Sequence, residues 1–258
     1  MTEPRAELRT ARLGTLSYAE ALAKMTTLRD ARQAGEIGDV LLLLEHFPVY
    51  TKGRRSGPEE LPMGESWYAM QGIEVAETDR GGLVTYHGPG QLVAYPIVDL
   101  GPFDNDVHAY VEMLEEVMIG ALAEHGVPAQ VFAGLTGVWT AGEPPIASGE
   151  PGPEGTPVGP ATVAAAAGVG ARKIGSIGVR VSRGIATHGL AVNVNNDLQP
   201  FEWIVPCGID YVRMTSLARE HGAEQDLVAF GETIGQLLAA ALDREPRAID
   251  ASELRLGR

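Results

Sequence analysis

Apolar residues recur at helical spacing in three stretches of the chain, while elsewhere they form short alternating or continuous runs, a mixture that predicts helices packed on a sheet. Ser17-Tyr18-Ala19-Glu20 has the form of a capping box, and Leu22, Met25 and Leu28 follow on one face, which places a first helix over about residues 18–33. The run Val40-Leu41-Leu42-Leu43-Leu44, bounded by Gly38-Asp39 and Pro48, suits a strand covered on both faces. Residues 73–77 alternate, and residues 91–98 read as another strand, so the Gly-rich segment between them is a connection in a sheet. From Asp106 to His125, Val107, Tyr110, Val111, Leu114, Val117, Met118, Ala121 and Leu122 make one face of a long helix ending at Gly126. Residues 127–132 and 137–140 read as strands, and residues 173–181 and 184–195 as a hairpin turning at Ser182-Arg183-Gly184. A last amphipathic helix, over about residues 225–242, closes the core.

Between these elements the composition shifts. Residues 141–170 are rich in Pro, Gly and Ala and cannot bury enough apolar surface to offset their ordering entropy, so a flexible surface loop inside the domain is expected. The expected organisation is one catalytic domain, residues 1–245, followed by a loose charged tail, 246–258. A chain of 258 residues with 45% hydrophobic content can bury a full core as one domain. No apolar segment heads the chain, and the longest strongly apolar run, residues 40–44, is far too short to span a bilayer. A cytoplasmic protein without membrane contact is expected. The formal charge of −14 argues against nucleic acid as a partner, because phosphate contacts need a local excess of Lys and Arg.

Cys207, within Val205-Pro206-Cys207-Gly208, is the only cysteine, so an internal disulfide and a multi-cysteine metal cluster are both excluded. It is either a buried spectator thiol or a nucleophile at a sharp turn. A nucleophile needs a group that favours the thiolate, and the candidates are Lys173, His87 and His188. The segment Arg80-Gly81-Gly82-Leu83-Val84-Thr85-Tyr86-His87-Gly88-Pro89-Gly90-Gln91 brings glycines, which let a backbone approach a ligand, together with convergent polar groups. Thr51-Lys52-Gly53-Arg54-Arg55-Ser56-Gly57-Pro58 is a basic loop in an acidic chain, either an exposed turn or an anion contact. Other engines are missing: there is no phosphate-loop motif, Gly168-Val169-Gly170 lacks the third glycine of a dinucleotide fingerprint, and the six histidines are scattered. Chemistry without a metal or cofactor is expected.

The Arg80-to-Gln91 run, Lys173-Ile174-Gly175-Ser176-Ile177-Gly178, His188-Gly189-Leu190-Ala191-Val192-Asn193-Val194 and Pro206-Cys207-Gly208, in that order, together closely resemble the lipoyl(octanoyl) transferases of lipoate biosynthesis. The resemblance covers roughly residues 37–240. It implies a single-domain α+β fold shared with biotin and lipoate protein ligases, in which helices pack around a mixed sheet. It also implies the reaction: an octanoyl group moves from acyl carrier protein to a lysine of a lipoyl domain, in 2-oxoacid dehydrogenase complexes or the glycine cleavage H protein. By the same resemblance Cys207 is the acyl-accepting nucleophile and Lys173 the group that activates it. Arg80, Gly81, Gly82, Leu83, Val84, Thr85, Tyr86, His87, Ser176, Ile177, Gly178, Gly189, Leu190 and Ala191 would line the substrate site. Since the expected partners are typically acidic, Lys52, Arg54, Arg55, Arg172, Arg180 and Arg183 are expected to gather into a local basic dock. The alternatives are an ATP-dependent lipoate or biotin ligase and a non-catalytic acyl-binding protein.

Overall fold

A computed structural model describes residues 5–142, 170–204 and 212–254. The Cys207 turn, most of the Pro/Gly/Ala-rich segment and the last four residues of the tail lie outside the described residues.

The fold is α+β. Eight strands form one mixed sheet in the order β11-β1-β2-β6-β10-β9-β8-β7, where β1 is Glu7–Leu16, β2 Asp39–His46, β6 Gln91–Asp99, β7 Ala129–Phe132, β8 Leu135–Thr140, β9 Lys173–Ser182, β10 Ile185–Asn193 and β11 Glu245–Ile249. The pairs of β1 with β2 and with β11 are parallel; every other pair in this sheet is antiparallel. A smaller sheet of three strands, β4-β3-β5, is built from Val49–Lys52 (β3), Glu74–Glu77 (β4) and Thr85–His87 (β5).

Helix α1, Tyr18–Gln33, starts at Ser17 with both hydrogen bonds of the capping box in place, as its sequence predicts. It covers one face of the large sheet through Ala21, Met25 and Leu28, packed on Leu42, Leu44, Val93 and Ile97. The other face carries α3, Val107–Glu124, capped by Asp106, and α5, Leu227–Ala241, capped by Asp226, with Leu114, Met118, Leu122, Phe230, Ile234 and Leu238 in a common core with Leu41, Leu43, Leu92 and Leu190. Helices on both faces explain the continuous apolar run of β2, which has no solvent side. Short helices α2, Glu65–Met70, and α4, Leu217–His221, complete the chain. Tyr50, Tyr68, Tyr86, Phe201 and Ile204 form a third cluster under the small sheet.

Two ends of the chain depart from the sequence expectation. Residues 7–16, for which the hydrophobic pattern suggests no element, form the ten-residue strand β1. The expected loose tail from residue 246 instead contributes β11, which hydrogen-bonds in parallel along the edge of β1, and Leu254 is buried behind it. The open edge of β1 is what orders this segment, and Pro246 is tolerated because β11 is itself an edge strand. No helix among the described residues is long and apolar enough to cross a membrane.

Candidate active site

A cavity of about 620 Å³ opens where the first turns of α3, hairpin β9–β10, residues 80–85 and the turn leading into β8 converge. Val111, Leu135, Ile177, Val179 and Leu190 supply apolar wall, and Arg55 and His108 contribute polar groups. All but one of the predicted binding residues line it: Arg80, Gly81, Gly82, Leu83, Val84, Thr85 and His87 from the Gly-rich connection, Ser176, Ile177 and Gly178 from β9, and Gly189, Leu190 and Ala191 from β10. Tyr86 is the exception. Its ring turns into the third core cluster, with centroids 5.6 Å from Tyr50 and 5.4 Å from Phe201, and burial there pushes its hydroxyl pKa up to about 12. The alternation of β5 sends neighbouring side chains to opposite faces, so Thr85 and His87 reach the cavity and Tyr86 does not.

Lys173 opens β9 and lines the same cavity while being almost completely buried. Its Nζ donates to the Thr136 carbonyl at 2.9 Å and lies 5.5 Å from the centroid of the Trp139 ring. Its backbone N–H donates to Arg213 O at 2.8 Å and its carbonyl accepts from Thr215 N at 2.9 Å. The strand carrying Lys173 is therefore joined to the segment that begins a few residues after Cys207. Ile204 and Val212, which flank the undescribed stretch, both pack in the third cluster.

The floor of the site is polar and buried. His46 Nδ1 donates to Leu16 O at 3.2 Å, since a carbonyl can only accept; its Nε2 therefore accepts from the Tyr95 hydroxyl, 2.8 Å away. The His46 ring lies 5.5 Å from Tyr18 and 5.5 Å from His87. His87 Nδ1 meets Gln91 Oε1 at 2.6 Å, and the Gln91 amide donates on to Asn193 Oδ1 at 2.9 Å. Burial holds His46 at about 4 and His87 well below the ordinary imidazole range. His188 is also lowered, by burial first, even though its Nε2 donates to Asp79 Oδ1 at 2.8 Å. These three imidazoles are neutral near pH 7; His87 and His188 line the cavity, and His46 packs behind His87. Sequence reading did not single out His46, Tyr18, Tyr95 or Trp139. The last three line the cavity, and their signal was spatial: they come from α1, β6 and β8, which only the folded sheet brings together.

Arg80 is an internal brace. Its guanidinium donates to the Thr51 carbonyl, to Thr51 Oγ1 at 2.8 Å and to Gly81 O at 2.9 Å, and Gly81 N donates to Val179 O at 2.9 Å, which ties the Gly-rich connection to β9. Gly178 leaves room for this, because a Cβ there would lie 2.9 Å from Arg80 Cδ. Three of the six residues expected to form a basic dock are engaged in ion pairs. Lys52 pairs with Glu77, Arg172 with Glu220 and Arg180 with Asp79, whereas Arg54, Arg55 and Arg183 are exposed and form no ion pair among the described residues.

The model of the lipoyl protein ligase A/B catalytic domain family matches residues 17–239. An octanoyltransferase of Chloroflexus aggregans is 41% identical over 235 residues, which cover 91% of this chain and 94% of that protein. An octanoyltransferase of Acidobacterium capsulatum is 43% identical over 215 residues, covering 81% and 78%. Among solved structures, the bipartite lipoate protein ligase of Thermoplasma acidophilum shares the fold with a TM-score of 0.67 at 16% identity, over 96% of this chain and 89% of that one. A lipoate-protein ligase A bound with ATP gives 0.62 at 15% identity, over 96% and 90%.

Proposed function

This chain belongs to the lipoyl protein ligase A/B catalytic-domain family and is an octanoyltransferase of lipoate biosynthesis; we propose that the octanoyl group passes through a thioester on Cys207, with Lys173 as the proton-handling partner. The observation that carries this reading is the burial of Lys173 in the wall of an apolar-lined cavity, its main chain joined to residues 213–215 just beyond Cys207.

The Cys207 thiolate attacks the carbonyl of an octanoyl thioester carried by acyl carrier protein. A carbon–sulfur bond to Cys207 forms, the bond to the carrier sulfur breaks, and the departing thiolate takes a proton from the Lys173 ammonium. The amine of an acceptor lysine on a lipoyl domain then attacks the enzyme thioester. A carbon–nitrogen bond forms, the bond to Cys207 breaks, and the proton lost by the amine returns to Lys173. One thioester replaces another in the first half and an amide forms in the second, so the transfer runs downhill without nucleotide. The two halves give ping-pong kinetics. The apolar wall takes the alkyl chain, at about 0.8 kcal/mol per buried CH₂.

A ligase reading fits less well. The backbone N–H groups of Arg54 and Arg55, in the basic loop nearest to a nucleotide cradle, donate to Arg80 O at 3.0 Å and Gly82 O at 3.2 Å, so they are committed within the protein. We place the reaction in the cytoplasm. The test is intact-protein mass after incubation with octanoyl carrier protein. An octanoyl adduct that forms on the natural enzyme and is absent from Cys207→Ser supports the thioester route; an adduct of equal yield on Cys207→Ser ends it.

A further inference from the structure

One peptide group connects Lys173 to a carboxylate that the foregoing mechanism does not use. The carbonyl of Thr136 accepts from Lys173 Nζ at 2.9 Å, and the N–H on the other side of that same peptide bond, Gly137 N, donates to Glu115 Oε1 at 2.9 Å. Glu115 is half-buried on α3 and does not line the cavity. An amide that donates to an anion at one end and accepts from a cation at the other is polarised by both, and each hydrogen bond strengthens the other. The contact is close because residue 137 is glycine at φ +103: a Cβ there would lie 2.9 Å from Lys173 Cε and 3.3 Å from Nζ.

We propose that Glu115 is a positioning residue of the transferase, which holds the Lys173 amine through the Thr136–Gly137 peptide and favours its charged form. This rests on the reading of Lys173 as the proton-handling group. The electrostatics agree in kind. Burial, aided by Glu112 one turn earlier, raises the Glu115 carboxyl above its ordinary range, while the Gly137 N–H and the charge of Lys173 pull it back down. The Glu115 carboxyl therefore feels the charge of Lys173 across the peptide.

The experiment measures the rate of enzyme acylation by octanoyl carrier protein, from about pH 6 to about pH 9, for the natural enzyme, Glu115→Ala, Glu115→Gln and Lys173→Met. Glu115→Ala should slow acylation by about tenfold or more, since the peptide that accepts from the amine loses its anchor on α3. Glu115→Gln keeps an oxygen that accepts from Gly137 N–H and should recover most of the rate. It removes the negative charge, so the limb of the pH profile that reports the lysine should move to lower pH. Glu115→Ala acylating at the natural rate with the natural pH profile overturns the proposal. So do equal losses in Glu115→Ala and Glu115→Gln with the profile unmoved, which is the pattern of a scaffold residue. Lys173→Met separates the levels. If it acylates normally, the Lys173 reading and this inference both fall; if it is inactive while Glu115→Ala is normal, only this inference falls.

Discussion

Lys173 and Met214 are bridge partners in parallel, with the Lys173 main chain hydrogen-bonded to the residues on either side of Met214. One short piece of parallel pairing thus ties the first residue of β9 to the chain that returns from Cys207. The two residues proposed for the chemistry are separated by thirty-odd positions in sequence, most of them the β9–β10 hairpin, yet the return segment is fixed six to eight residues after the sulfur.

That return segment is held from a second direction, and a mutation there should be felt at a distance. Asn193 Nδ2 donates to Thr215 O at 3.0 Å, while Asn193 Oδ1 accepts from Gln91 at 2.9 Å and from Asn196 at 3.2 Å, all in buried surroundings. Asn193→Leu leaves several buried polar groups without partners, each worth about 1–3 kcal/mol. The expected result is a loss of about 2 kcal/mol or more in unfolding free energy by denaturant titration, together with slower acylation. Unchanged stability would mean that this network contributes nothing to the frame.

The sequence made the helices and the hairpin legible because their signals are local. Ser17 with Glu20, Asp106 and Asp226 are caps whose chemistry acts within three residues, and the hairpin turns at Arg183-Gly184, both with positive φ. β1 was not legible because its arginines read as surface. Arg9 reaches Glu253 O at 2.9 Å and Arg12 reaches Val228 O at 2.6 Å, partners more than 200 positions away. For the same reason β11 read as a tail: Glu245-Pro246-Arg247-Ala248-Ile249 has little strand character of its own and is ordered by the edge it joins. The cavity wall was legible from its motifs. The inward or outward sense of Tyr86, set by the pairing of β5 with β3, was not.

Buried neutral imidazoles make stability sensitive to mild acid. His46 has a folded value of about 4 against 6.5 for the free side chain, with burial the dominant cause. The unfolded state binds the proton more tightly, so this contribution is complete above about pH 6.5, falls away as the pH drops, and is exhausted below about pH 4. The full span is up to about 3 kcal/mol. His87 and His188 shift in the same direction and add to the slope. Unfolding free energy should therefore fall between pH 6.5 and about pH 4, and His46→Gln should flatten part of that fall. A pH-independent stability across this window would contradict the assignment of neutral rings.

The cavity should behave as a ruler for the acyl chain. Ile177 lines it from β9, so Ile177→Phe removes space that the alkyl tail would occupy. If two methylenes lose their slot, octanoyl transfer should fall by roughly tenfold relative to hexanoyl transfer, from about 0.8 kcal/mol per CH₂. Competition between the two acyl carrier thioesters measures the ratio directly. A ratio equal to that of the natural enzyme would place the chain elsewhere.

Electrostatic steering of the proposed carrier-protein donor should depend on Arg54 and Arg55 and little on Lys52, Arg172 and Arg180. Lys52, Arg172 and Arg180 already face Glu77, Glu220 and Asp79, so their charges are locally offset. Arg54 and Arg55 are exposed in a turn whose backbone is tied to residues 80–82, and Arg55 also lines the cavity. On a chain with a formal charge of −14, these two side chains are where an acidic partner could approach a site that opens beside them. Replacing both by Glu should lower kcat/KM for octanoyl carrier protein by about tenfold or more at low salt, with the loss mainly in the association step. It should also flatten the decline of kcat/KM with rising salt, because the attraction that salt screens has been removed. For Arg54→Glu alone, at a side chain that does not line the cavity, transfer from a small octanoyl thioester lacking the acidic carrier should be nearly unchanged, which separates a docking defect from damage to the cavity. Equal losses with the carrier and with the small thioester would assign these arginines to the cavity wall and not to docking.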